Sequence, residues 1–95
     1  MLSKNEIDAV QIDVAAISND DLHDAEVEFK ARAEIASHGV GSDLRMGLDH
    51  SQNEYNLHLM VEYLTHIDER LENTGGWWFR IRRRLSYINQ YRKNF

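Results

Sequence analysis

Every fourth residue of HSQNEYNLHLMVEYLTHIDER, positions 50–70, is ionisable. His50, Glu54, His58, Glu62 and His66 alternate imidazole and carboxylate until Arg70 ends the row. Such groups can ligate a divalent metal, relay protons, or pair with one another on a wetted helix face. A metal site would draw on His58, Glu62 and His66. One ion spans i to i+8 with difficulty, so further ligands such as His23 or His38 would have to come from elsewhere. The H-E-x-x-H spacing of zinc hydrolases is absent. Alternating acid and base at i, i+4 is also how exposed helices gain a few tenths of a kcal/mol per pair. The expectation is a solvated salt-bridge face opposite Leu57, Met60 and Leu64, with no metal and no cofactor.

Other chemistry has less behind it. Ser, His and Asp are present, but no G-x-S-x-G elbow places a nucleophile. GVGSDLRMG lacks the G-K-[ST] of a phosphate loop and follows no strand. With no cysteine, thiol nucleophiles, thiolate metal sites and disulfides are excluded. No carboxylate pair is singled out by its spacing among the 16 acids. No catalytic residue is assigned, and the chain reads as a non-enzyme.

Charge is the most unusual feature. Residues 1–74 hold all 16 acids and five of the 11 lysines and arginines, hence −11. The remaining six, Arg80, Arg82, Arg83, Arg84, Arg92 and Lys93, lie in GGWWFRIRRRLSYINQYRKNF without a single acid. On a helical wheel Arg80, Arg83, Arg84, Tyr87 and Tyr91 share one flank. Guanidinium groups beside aromatic rings suit phosphates and bases, so these five are the candidate nucleic-acid site. The competing reading has the arginines neutralising the acidic body, within one chain or between two copies. Anionic membrane ranks third, because a core this small needs Trp77 and Trp78 for itself. The acidic side offers Asp13, Asp20, Asp21, Asp24 and Glu28 as a protein-binding surface. With Asp8 and Glu26, these acids could imitate a phosphate row, against the plainer reading that they serve solubility.

Long helices must position these groups. Proline is absent, and the five glycines fall at 39, 41, 47, 75 and 76, leaving two regions where the chain turns. Ser3 and Glu6 form a capping box with Leu2 and Ile7 as hydrophobic staple. Ile7, Val10, Val14 and Ile17 keep helical spacing, which predicts a helix over 4–17. From Asn19 or Asp20 to Gly39, the stripe Leu22, Ala25, Phe29, Ala33 and Ala36 predicts a second helix. Residues 26–35 also alternate as a strand would, but Ala, Glu, Lys and Arg favour helix. A helix there leaves Val27, Ala31 and Ile35 as a second small stripe needing cover. Residues 39–50 read as loop, with at most one helical turn over 42–46. A second capping box, Ser51 to Glu54, opens a helix to Asn73 that buries Leu57, Met60, Val61, Leu64, Ile67 and Leu71. The last helix, 77–93, is expected to bury Trp77, Trp78, Ile81, Leu85, Ile88 and Phe95.

The chain therefore reads as one all-α domain, 1–95, of four helices, with helices 1, 3 and 4 supplying most of the core. No apolar run approaches the length of a membrane span. Acids occupy MLSKNEIDAV where a leader would be apolar, so the expected setting is cytoplasmic, off the membrane. The expected role is a protein–protein adaptor or inhibitor acting through the acidic surface, the Val27/Ala31/Ile35 stripe, or both. Self-association is expected, a dimer first. Nucleic-acid binding through the C-terminal helix is the alternative.

Overall fold

The structure, a computed structural model, describes residues 2–95 and is all-α. Helices α1 (Lys4–Ala15), α2 (Leu22–Met46), α3 (Ser51–Leu71) and α4 (Trp77–Arg92) follow in order, with a 3-10 turn at Asn19–Asp21 before α2. No strand occurs among the described residues, so 26–35 is helix.

The capping box at α1 forms: Glu6 N–H donates to Ser3 Oγ at 3.2 Å and Ser3 N–H to Glu6 Oε1 at 3.0 Å. The second does not. Ser51 lies inside α3, and Asp49 Oδ1 accepts its N–H at 3.0 Å in place of a serine cap.

The larger correction is α2, which runs through Gly39 and Gly41 instead of stopping there. Both glycines are needed for close approach, not for a turn. A Cβ at Gly39 would meet the Asn53 side chain at 2.7 Å, and one at Gly41 would overlap the Asn94 carbonyl. The helix ends at Gly47, whose φ of 70° is left-handed. Leu48 N–H then reaches Asp43 O at 2.8 Å and Gly47 N–H reaches Leu44 O at 3.3 Å, a Schellman closure.

Helix α3 is the axis of the molecule. The hairpin partner α2 covers one side, and α1 and α4 flank α3 without packing on each other. One apolar cluster joins Ala33, Ala36, Leu57, Val61, Leu64, Tyr87 and Tyr91. The other joins Val10, Val14, Leu22 and Ile67, and Phe29 packs against both. Thus α2 and α3 carry the core, with α1 and α4 applied to it, which reverses the expected weight of α1 and α4.

Trp77 and Trp78 are 56% and 64% exposed, and Leu85 also faces out. The buried face of α4 is the one carrying Tyr87 and Tyr91. The orientation follows from the flank of α3 it meets, which presents Glu62, Asp68, Glu69 and Glu72 to the arginines.

Adding a methyl at Gly41 forces the end of α4 away from α2. Gly41→Ala should lower stability by about 1–2 kcal/mol despite its gain in helix propensity. Gly75→Ala, with open space around it, should be neutral. Urea unfolding midpoints of the two variants decide this.

Candidate functional site

The i, i+4 row does not lie on one wetted face. Each step advances about 40° around the axis, so the row winds through three environments. Glu54 stands in solvent between His50 and His58, at 3.5 and 3.9 Å. Glu62 and His66 are buried, Glu62 only 2% exposed, with His66 Nε2 at 3.0 Å from Glu62 Oε1. Arg84 Nη2 straddles the same carboxylate, 2.9 Å from Oε1 and 2.7 Å from Oε2. Arg70 leaves the row for α1, donating to Val14 O at 2.8 Å, Ile17 O at 2.5 Å and Asn19 Oδ1 at 2.7 Å. It thereby ties α3 to carbonyls at and just beyond the C-terminus of α1. The expectation of a solvated salt-bridge face fails at Glu62 and His66, because α4 closes over that part of α3.

Around Glu62 the opposing effects can be ranked. Burial alone would raise its carboxyl, but the His66 hydrogen bond and the Arg84 charge outweigh that and hold it below the usual carboxylate range. Asp68, one turn and a half further along, behaves oppositely. Burial, with the Glu26 carboxyl beside it, pushes Asp68 up from the usual 3.8 to about 6. Glu26, interacting with the same Asp68 carboxyl, is held below the usual carboxylate range. The Tyr87 hydroxyl donates to Asp68 Oδ2. Arg83 reaches both Asp68 and Glu72, and Arg80 Nε lies 3.5 Å from Glu69.

This seam uses the whole of the candidate nucleic-acid set. Arg80, Arg83 and Arg84 pair with α3, and Tyr87 and Tyr91 are buried in the core. They come together, but facing inward. The arginines thus neutralise the acidic body within one chain. The signal was present in the sequence as four acids on one flank of α3 at matching heights.

A groove of about 400 Å³ lies where α1 and α4 stand apart over α3. Leu2, Ile7, Val61 and Ile88 supply its apolar lining, and Glu54, His58, Glu62 and Arg84 its polar groups. No serine, threonine, cysteine or lysine lines it. Among the described residues no three His, Asp or Glu side chains converge as a metal site.

The acidic candidates lie on α1 and at the start of α2, and none of them lines this groove. Asp13 accepts from the Tyr63 hydroxyl at 2.7 Å, and Asp21 from Ser18 at 2.8 Å. Asp20, Asp24 and Glu28 are exposed near the N-terminus of α2, Glu28 pairing with Arg32 one turn on. Among them Val27 and Ile35 are 68% and 73% exposed, with Ala31 exposed between them. The stripe expected to need cover is uncovered. The Trp77/Trp78 surface on α4 was assigned to the core and is the functional candidate that sequence reasoning missed.

Among the described residues no helix is long and apolar enough to cross a membrane. Comparison with known proteins finds no matching family model, curated protein or solved structure.

Two consequences of the seam are measurable. Because Asp68 titrates higher folded than unfolded, the folded state keeps a proton that the unfolded chain releases above about pH 4. Its contribution therefore falls as pH rises from about 4 to about 6. Asp68→Asn keeps an acceptor for Tyr87 and offers a donor to Glu26. It should be more stable than wild type at pH 8 by about 1–3 kcal/mol, with the difference gone near pH 4. Urea midpoints across that range test it, and equal midpoints at pH 8 overturn this account of Asp68. Glu62→Ala should lose about 1–3 kcal/mol by leaving the half-buried Arg84 unpaired, whereas Glu62→Leu with Arg84→Met should recover most of it.

Proposed function

We propose that this chain is a small non-catalytic protein-binding module, an adaptor or inhibitor, whose binding surface is the outer face of α2. The observation that carries the reading is the uncovered Val27, Ala31 and Ile35 stripe set among Asp20, Asp24 and Glu28. The opposite side of the same helix already fills the core through Leu22, Ala33, Ala36 and Val40, so the outer stripe serves no packing within the chain. Exposed apolar side chains rimmed by charge mark interaction sites. The acids give such a face its electrostatic preference, for a partner of opposite sign, and quicken encounter.

Catalysis has less support. In the groove between α1 and α4 the buried carboxylate Glu62 is already engaged by two partners, and no serine, threonine, cysteine or lysine lines it. Nucleic-acid binding by Arg80, Arg83, Arg84, Tyr87 and Tyr91 would require breaking the α3–α4 seam. A cytoplasmic setting stays part of the proposal on the cysteine-free, acid-rich sequence.

The test is a photo-crosslinking residue at position 31 in cells that make the protein, with position 11 on α1 as control. A discrete adduct is expected at 31 and none at 11. It should vanish when Val27 and Ile35 are both changed to Lys, with the melting curve unmoved within about 0.5 kcal/mol, as for exposed sites. Equal labelling at both positions, or an adduct indifferent to the lysines, removes α2 as the binding face.

A further inference from the structure

The outer face of α4 is the second uncovered surface, and its chemistry restricts what can cover it. Trp78, Ile81 and Leu85 follow i, i+3, i+7 along it, with the Trp77 ring stacked on Trp78 at 4.2 Å. Arg82, Arg92 and Lys93 rise beside this stripe, exposed, and no carboxylate among the described residues lies within ion-pair distance of them. Residues 75–95 contain no acid at all. A complementary surface must therefore be apolar along its middle and negative at its rim. A second α4 face fails that requirement, since its cations would meet cations.

The molecule itself carries a surface of the required kind. The α2 stripe has three apolar side chains in a row and its acids gathered toward one end. From Asp24 to Ile35 the helix rises about 17 Å, and from Ile81 to Arg92 about 17 Å also. Laid antiparallel, Ile35 meets Ile81, Ala31 meets Leu85 and Asp24 meets Arg92. Asp20 and Glu28 then lie near Arg92 and Lys93. The same direction brings the negative end of the α4 dipole to the positive end of α2. A parallel arrangement would instead place the α2 acids beside the tryptophans, with only Arg82 to answer them.

We propose that the α4 face of one copy of this chain receives the α2 face of a second copy. The inference rests on the reading of α2 as a binding surface and names its partner. The contact is heterologous: each copy offers two different faces, so the assembly grows head-to-tail or closes on itself according to the rotation between copies.

The experiment uses the full chain and two reversed variants, Arg92→Glu with Lys93→Glu, and Asp24→Lys with Glu28→Lys. All four positions are exposed, and melting curves of both variants check that they fold. Wild type should exceed monomer mass in sedimentation at high concentration. Its fluorescence should shift to the blue at the same time, because the only two tryptophans lie in the contact. Association should weaken with salt. Each variant alone should associate at least tenfold more weakly, since like charges then face each other. Mixed together they should recover association, because the acidic α4 of one matches the basic α2 of the other. A wild type that stays monomeric at every concentration overturns the inference, as does a mixture that fails to associate. A blue shift produced by an oligonucleotide and not by concentration also overturns it, in favour of nucleic acid. If only the α2 reversal weakens association, the α4 pairing is wrong and the α2 surface stands. If the α2 reversal leaves association intact, the α2 reading falls as well.

Discussion

Burying Glu62 and Asp68 beneath α4 is the act on which the rest of this molecule turns. Each carboxylate leaves water at a cost of several kcal/mol unless something replaces the lost hydration. Glu62 stays ionised because Arg84 and His66 supply that replacement. Asp68 receives less, a tyrosine hydroxyl and a more distant arginine, and burial beside the Glu26 carboxyl raises it to about 6. The two sites meet the same penalty differently, one offset by charge pairing and one left as a raised affinity for a proton. Both solutions require α4 in one rotation about its axis, since only then do Arg84 and Tyr87 reach their acids together.

The central position of α3 follows from its composition. Its apolar stripe, Leu57, Val61, Leu64 and Ile67, is buried against α2 and α1. Much of its remaining circumference is ionisable, and those groups are answered by different neighbours. Arg70 holds the end of α1, Glu62 and Asp68 hold α4, and Glu54 with His58 opens to the groove between them. The small residues on α2 serve the same arrangement. Gly39 and Gly41 let α3 and the chain end approach the α2 backbone where a methyl would not fit.

The apolar periodicities of helices 1 and 3 were legible because each had one oily face, and on α2 the stripe with Leu22, Phe29, Ala33 and Ala36 outweighed the smaller Val27, Ala31 and Ile35 one. The four-helix all-α class, the first capping box and the core positions Val10, Ala33, Ala36, Leu57 and Leu64 follow directly from spacing. What spacing cannot resolve is a helix with two faces able to be buried. On α4, the Trp78–Ile81–Leu85 stripe and the Tyr87–Tyr91 flank are both amphipathic readings of one sequence. Hydrophobicity alone ranks tryptophan above arginine for the interior. The decision lies in the acids of α3, a non-local term invisible to any single-helix pattern. Gly39 misled for a related reason. Glycine marks both helix ends and close approaches, and only the position of Asn53 tells the two apart. Among the candidate sites, the exposed α2 stripe was legible from local pattern, while the proposed α4 surface required knowing which side faced inward.

An apolar seam between α3 and α4 would have served stability equally well, since buried ion pairs rarely outperform well-packed hydrocarbon. The charged seam does something that hydrocarbon could not. Had α3 offered leucines on that flank, α4 would have turned its tryptophans onto them, and the arginines would have faced solvent as a basic surface. By offering carboxylates instead, α3 draws in Arg80, Arg83 and Arg84 and turns the apolar stripe outward. The apolar, cationic exterior of α4 is thus an outcome of that choice, set beside the acidic exterior of α2. The same residues that settle the fold also determine that the molecule presents two unlike faces in place of one uniformly acidic coat.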